Sequence, residues 1–413
     1  MNGVRQLIVD RWDTAREALR QRHLRQALYD AGEVVMADVL VNLHGVEHRD
    51  RRRLENRLFR RDTHEHYERV LFPPIVASTL GPHAESGRAE LVGLSHQVMM
   101  NLAATTAGVD RPRGTAEETD RLYRAMMQFI EGATLAHHRG DRSVVRDRVA
   151  LALEEFDAEF VAPSVQRRLE LIAGLESGRV DESDLPMDVL TTLLRNADDL
   201  HLADDVVLRE TCFYLLAGAH TSATAFVRTF DHLVSTTDGS DARERARHDD
   251  LFLQRCVHET VRLQPSSPIA LRRATERVEL ADGQVVETGD EVTIDLVAAN
   301  RDPRIFGDDA DRFDPDRELP DGVPRWGLSF GSGAHACIGQ DLAAGGPPDD
   351  GRDRADHLVG LVAVALRSLL DLGARPDPDR PPVIDPDSAR GYWSEYPVVL
   401  DRPEHRSEHR PAT

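Results

Sequence analysis

The chain has 413 residues, 40% hydrophobic and 5% aromatic, enough to bury one large core or two ordinary ones. All 51 basic residues are arginine, against 72 acidic ones, and the net charge of −21 argues against general affinity for nucleic acid, whose phosphates an acidic surface repels. Cys212, Cys256 and Cys337 are too few and scattered for a disulfide framework or a four-ligand zinc site. No stretch is apolar for a membrane-spanning length, so a reducing, cytoplasmic setting is expected.

Apolar residues recur every three or four positions over 11–29, 89–108, 117–138 and 143–175, which predicts helices with one buried face. A basic run, Arg49, Arg51, Arg52, Arg53, Arg57, Arg60 and Arg61, lies on another helical stretch and reads as a solvated or partner-binding face. The segment 205–234 has few charges in its centre and predicts a long helix buried along much of its length. Alternation over 278–280, 284–287 and 291–296, with Asp282-Gly283 and Thr288-Gly289-Asp290 between, predicts a small antiparallel sheet. An irregular stretch, 300–324, leads to 326–339, then a short helix at 340–344. A Gly345-Gly346-Pro347-Pro348 break precedes a last helix at 357–370. With no repeat or linker, one domain is expected over 1–403, and the aperiodic, charged tail 404–413 reads as disordered.

The sharpest local signal is Phe330-Gly331-Ser332-Gly333-Ala334-His335-Ala336-Cys337-Ile338-Gly339. Glycines around a cysteine let the backbone turn tightly and approach a large flat ligand. Amide N–H groups and a helix N-terminus beside sulfur favour the thiolate. Taken alone, such a cysteine is more often a small buried residue. Here Phe330, Gly333, His335, Cys337 and Gly339 match every fixed position of the haem-binding loop of cytochrome P450 enzymes, and the chain resembles the soluble, bacterial, ferredoxin-dependent members of that family.

The resemblance implies a mainly α fold with a small antiparallel β region, and haem b between the 205–234 helix and the Cys337 loop. Cys337 would bind the iron. Ala217, Gly218, Phe330, Gly331 and Gly339 would adjoin the haem, and His48, Arg52, Arg272 and His335 would meet its propionates. Glu259 and Arg262 resemble the family's Glu-x-x-Arg pair, with Arg312 in the place of the third member of that ion-paired group. Thr221 matches the alcohol of the oxygen-activating segment, while His220 stands where the family has an acid, so a proton-relay role is expected of both. Ser222, Ser267, Ile269, Ala270, Trp393 and Ser394 are the positions that would border substrate.

By the same resemblance, the activity would be insertion of one oxygen atom from O2 into a small organic molecule, a bacterial biosynthetic intermediate. Electrons would come from a ferredoxin and its reductase, the ferredoxin docking on the arginine run. The alternatives are an oxidative coupling, cyclising or peroxide-driven enzyme, suggested by His220, and a non-catalytic haem-binding protein that recruits a carrier protein. Two departures from the family stand out: the stretch before Arg11 reads as too short for a first helix and its neighbouring strands, and 345–356 interrupts a helix normally continuous from the cysteine loop. Nucleic-acid and membrane partners are not expected.

Overall fold

The longest apolar segment folds as one helix, Asp204–Ser235, in a computed structural model that describes residues 5–135, 140–235, 239–347, 356–386, 388 and 391–401. Asp204 and Asp205 place negative charge in the first turn, where the amide dipoles present their positive end, and no proline interrupts the run. Its principal neighbour is the Leu91–Ala107 helix, started by Glu90, whose carboxylate accepts from the amides of Val92 and Gly93, and ended by Gly108 at φ +91°. The two helices approach so closely that a Cβ at Gly218 would lie 3.2 Å from the Cβ of Ala103. Gly218 therefore serves helix packing, a role the sequence pattern did not assign to it.

The 143–175 prediction becomes Arg142–Phe156 and Ala162–Glu176, joined by a wider π turn at Asp157–Val161. The 11–29 prediction holds only as Trp12–Arg20. Beyond it, Leu24–Gln26 extends and pairs antiparallel with Ile269–Ala274, so a backbone ladder overrides the helical spacing of the apolar residues. Gln6–Val9 is also a strand, parallel to Glu291–Asp295 from Gln6 opposite Glu291 to Val9 opposite Ile294. This corrects the expectation that the start of the chain holds no strand. The resulting sheet runs Gln6–Val9, Glu291–Asp295, Ile269–Ala274, Leu24–Gln26. The 278–287 turn forms a separate two-stranded ribbon, Val278–Glu279 with Val285–Val286.

The helices share one large apolar core, and a second cluster lies under the four-stranded sheet. The break after the Gln340–Ala344 helix is built into this packing. The Ala344 carbonyl accepts from Gln254 and contacts His258 Nε2 at 2.8 Å, and the amides of Val359 and Gly360 both reach Glu68, at 2.9 Å each, before the chain resumes as Leu361–Asp371. Of the expected insertion, 348–355 lies outside the described residues, as do the tail 404–413 and residues 136–138 of the predicted 117–138 helix.

Candidate functional site

The cysteine loop is positioned from behind by a buried ion-pair centre. Glu259 and Arg262, one helical turn apart, form two charge-assisted bonds: Nε to Oε2 at 2.7 Å and Nη2 to Oε1 at 2.6 Å. Arg262 Nη1 donates to the carbonyls of Asn300 and Ala310 at 2.8 and 2.9 Å. The second arginine on Glu259 is Arg317, at 3.4 Å, which also donates to the Phe306 carbonyl at 2.7 Å. Arg312 is not part of this centre. Its side chain is 65% exposed and pairs with Asp309 and Asp314, because the turn at 309–314 directs it to solvent.

From there the order passes forward. Asn300 accepts from the Leu328 amide at 2.6 Å and donates to Ser329, whose hydroxyl donates to the Val261 carbonyl at 2.6 Å. Two residues later the Cys337 amide donates to the Phe330 carbonyl at 2.7 Å, closing a turn in which Gly331 and Gly333 have φ of +71° and +77°. A Cβ on Gly333 would come within 3.0 Å of the Arg20 backbone, so the loop has no room for another residue there. Cys337 remains accessible, whereas Cys212 and Cys256 are fully buried. The sulfur nevertheless lies deep in a cleft: desolvation raises its pKa above the ordinary thiol value, opposed by the Gly339 amide and by Arg52. The loop's amides therefore offset burial only in part, and coordination to a metal cation would supply the rest of the driving force for deprotonation.

Beside this loop, imidazole and guanidinium side chains gather. The His48 and His335 rings are 4.1 Å apart, and His44 lies 5.4 Å from His335. Burial, with added repulsion from Arg52 and His44, lowers the His48 pKa to about 4. Burial, His48 and Arg272 lower that of His335 to about 3. Arg272 is buried on its strand, bonded to the Gln26 side chain and the Leu271 carbonyl, and desolvation pulls it down to about 10. No carboxylate among the described residues pairs with it. A buried guanidinium without a carboxylate partner, beside half-buried Arg52 and the imidazoles of His48 and His335, fits the two propionates of a haem, and an accessible thiol in a glycine turn fits its iron. The structure thus brings His48, Arg52, Arg272, His335 and Cys337 together. His44 was missed, although it precedes His48 by one helical repeat.

The Asp204–Ser235 helix presents Phe213, Ala217, His220 and Thr221 as its more open positions, at spacings that share one face. The Thr221 hydroxyl donates to the Ala217 carbonyl at 2.8 Å, which leaves its lone pairs as acceptors. The His220 ring stacks on His96 of the neighbouring helix at 5.8 Å. Ser266 donates to the Thr221 carbonyl at 3.0 Å, and so brings the 266–270 segment, with half-buried Ser267, Ile269 and Ala270, beside this face. Ser222 is buried, on the opposite side of the helix. Trp393 packs edge-on against Tyr396 at 5.1 Å, while Ser394 is exposed and donates to the Val383 carbonyl. The basic run also divides. Arg49, Arg53, Arg57 and Arg60 are exposed, but Arg51 is buried and paired with Glu210 at 2.7 Å.

The family model described as Cytochrome P450 matches residues 166–344, the stretch holding the Glu259 centre and the cysteine loop. Over this segment the chain matches the cytochrome P450 family. A P450 of Mycobacterium tuberculosis is 34% identical over 177 residues, 42% of this chain and 39% of that protein, so the match spans well under two thirds of the relative's length. Cyclooctat-9-en-7-ol 5-monooxygenase of Streptomyces melanosporofaciens is 26% identical over 370 residues, 79% of this chain and 75% of that one. Among solved structures, the haem domain of a Tepidiphilus thermophilus P450 has a TM-score of 0.71 at 19% identity, covering 97% and 90% of the two chains. The P450 BioI complexed with acyl carrier protein has 0.70 at 18%, covering 95% and 92%. These likenesses extend the P450 fold beyond the matched segment. The match to this family implies a haem-thiolate cofactor, which the residues above fit. Among the described residues, no helix is long and apolar enough to cross a membrane.

Proposed function

We propose that this P450 inserts one oxygen atom from O2 into a small organic substrate. The observation that carries the reading is the accessible Cys337 thiol beside the imidazoles of His48 and His335, half-buried Arg52, and buried Arg272, which no carboxylate among the described residues pairs with. When bound, the haem supplies the activation of O2, with two external electrons and two protons reducing the second oxygen atom to water. Cys337 would bind the haem iron. His48, Arg52, Arg272 and His335 bind the propionates and fix its orientation. Thr221 accepts and passes a proton at its hydroxyl, and Ser267, Ile269, Ala270 and Trp393 bound the substrate. The substrate class that the relatives favour is a bacterial biosynthetic intermediate, free or tethered to a carrier protein.

A ferredoxin is the proposed electron donor, supplied by its reductase. Arg49, Arg53, Arg57 and Arg60 form an exposed basic patch on an acidic protein. Phe59, within that stretch, lies 3.8 Å from where a Gly339 Cβ would be, so the patch adjoins the cysteine loop. The stacking of His220 on His96 favours a second reading, peroxide-driven oxidation, in which hydrogen peroxide supplies both the oxygen atom and its reducing equivalents. Turnover with peroxide but none with ferredoxin, reductase and NAD(P)H would select it. The test of haem-thiolate binding is direct. Reduced protein under carbon monoxide is expected to show the red-shifted thiolate Soret band, and Cys337→Ser to abolish it. A band that survives the substitution would remove Cys337 as ligand.

A further inference from the structure

The Gly45–Glu55 helix that supplies His48 and Arg52 is fastened to the long helix by a second charged cluster, which plays no part in the chemistry above. Glu55 and Glu210 are both fully buried, at 0% exposure. One arginine, Arg51, reaches them: its Nη1 bonds Glu210 Oε2 at 2.7 Å. Glu210 also accepts from the Leu40 amide through both oxygens, at 3.1 and 3.0 Å. The Tyr214 hydroxyl donates to Glu55 Oε2, while Glu55 Oε1 has no hydrogen-bond partner. Of the helices packed against the two that carry these carboxylates, Glu33–Met36 has its one ionisable residue, Glu33, exposed, and Val189–Leu194 has none. Phe59 stacks on Tyr214 at 5.9 Å and separates it from His64, and Arg52 acts on Glu55 from a distance.

Two buried carboxylates and one buried guanidinium leave an uncompensated negative charge, which a low-dielectric interior does not tolerate. A bound proton removes it. Desolvation and the proximity of Glu210 raise Glu55 well above the ordinary carboxylate range, and desolvation raises Glu210 to about 7, with Arg51 opposing. We infer that Glu55, Glu210, Arg51 and Tyr214 form a proton-retaining clamp: while the proton is held, the clamp fixes the Gly45–Glu55 helix where His48 and Arg52 face the haem, and its loss in alkaline solution loosens the haem. These are positioning residues, acting on the cofactor through the helix. The inference rests on the haem-binding part of the proposed function, not on its oxygenase activity.

The sign follows from linkage. A carboxyl whose folded pKa exceeds its unfolded value of about 4.3 stabilises the fold most below that value. That stabilisation diminishes as pH rises toward the folded pKa, by up to tenfold in the equilibrium per pH unit for one proton. Two readouts on the holoprotein test the clamp: the rate of haem transfer to an apo-globin acceptor from pH 6 to 9, and the infrared carbonyl stretch of a protonated carboxyl over the same range. Wild type is expected to show the protonated band near neutral pH, its loss on alkalinisation and a parallel acceleration of haem transfer of about tenfold or more. Glu55→Gln, which keeps the shape without the charge, is expected to lose the titrating band and to flatten the transfer profile. Tyr214→Phe removes a donor to the ionised form and is expected to move both midpoints to higher pH. No protonated band in wild type, or a Glu55→Gln profile as steep as wild type, would overturn the clamp. The infrared arm reads the carboxyls whether or not the protein oxidises any substrate, so its failure is distinguishable from failure of the proposed function.

Discussion

The Gly45–Glu55 helix separates two buried charge clusters of opposite imbalance. On one side His48 and Arg52 join His335 and Arg272, two imidazoles and two guanidiniums, with no carboxylate among the described residues paired to Arg272. On the other, Arg51 alone faces Glu55 and Glu210. The Glu259 centre, by contrast, is nearly balanced, its carboxylate shared by Arg262 and Arg317 and its remaining donors spent on carbonyls. The contrast separates architecture from function. Balanced buried charge holds a loop in place, while unbalanced buried charge points to something the protein must hold, a dianion on one side and a proton on the other.

The largest expected effect lies in the balanced centre. Arg262→Ala leaves the buried Glu259 carboxylate with the Asp314 amide at 3.1 Å and the longer Arg317 contact at 3.4 Å and removes the donor to the carbonyls of Asn300 and Ala310, so a stability loss of about 3–5 kcal/mol is expected. Arg317→Ala should cost less but remain substantial, and Arg312→Ala should stay within ~0.5 kcal/mol, as for an exposed pair. Chemical denaturation of the three variants checks the order. A large effect at Arg312 would reverse the assignment of the third arginine.

The cation cluster responds differently. Arg272→Gln removes a buried charge that finds no acid in the protein itself, so the haem-free chain is expected to keep or gain stability. The haem should dissociate about 10–100-fold faster, the worth of a charge-assisted bond of about 1.5–3 kcal/mol. The two histidines add a pH dependence. Their folded pKa values, about 4 for His48 and about 3 for His335, lie below the unfolded value near 6.5. The haem-free protein should therefore be fully stabilised by them above pH 6.5 and lose that stability as pH falls toward 4. Calorimetry of the haem-free protein and haem transfer from the loaded one separate the two effects. Equal losses in both would mean that Arg272 only supports the sheet.

Much of this was legible before any coordinates, and unevenly so. The cysteine loop could be read because its function constrains near neighbours: Phe330, Gly333, His335, Cys337 and Gly339 fall within ten residues, where spacing carries the geometry. The Glu259–Arg262 pair was legible for the same reason, one helical turn apart. Its third member was not. Arg312 and Arg317 sit five residues apart in an irregular stretch with no periodicity to choose between them, and only tertiary folding shows which one turns inward. Arg51 was read with its neighbours as surface because its partner, Glu210, is 159 positions away. The phase of the helix held a clue, since Arg51, Leu54, Glu55 and Leu58 are buried while Arg49, Arg53 and Arg57 are exposed. The strand Leu24–Gln26 was lost to helical periodicity because a three-residue strand is too short to show its own period.

The smallest expected effect separates the adjacent residues His220 and Thr221. A relay must present a group that can both take and give a proton on the open side of the long helix. Thr221 meets that requirement: it is exposed there, and its hydroxyl, donating to the Ala217 carbonyl at 2.8 Å, keeps its acceptor sites. His220 is half-buried, and its ring stacks on that of His96, 5.8 Å away and inclined by 25°. His96 in turn is held by a 3.0 Å contact from Nδ1 to the Val92 carbonyl, which can only accept, so the proton of His96 is on Nδ1. Burial lowers the pKa of His96, so at neutral pH the ring under His220 is an uncharged packing surface. His220→Ala is accordingly expected to cost about 1 kcal/mol of stability, the worth of a stacked ring pair. The ratio of product formed to NAD(P)H consumed should stay within about twofold of wild type, well short of the 10²–10⁴-fold that a positioned acid or base contributes. Thr221→Ala should leave stability nearly unchanged and divert most of the reducing equivalents to hydrogen peroxide. Measuring that ratio and the melting temperature on both variants separates packing from proton transfer. Uncoupling by His220→Ala as severe as that of Thr221→Ala, with part of the coupling restored by His220→Glu, would make His220 the relay.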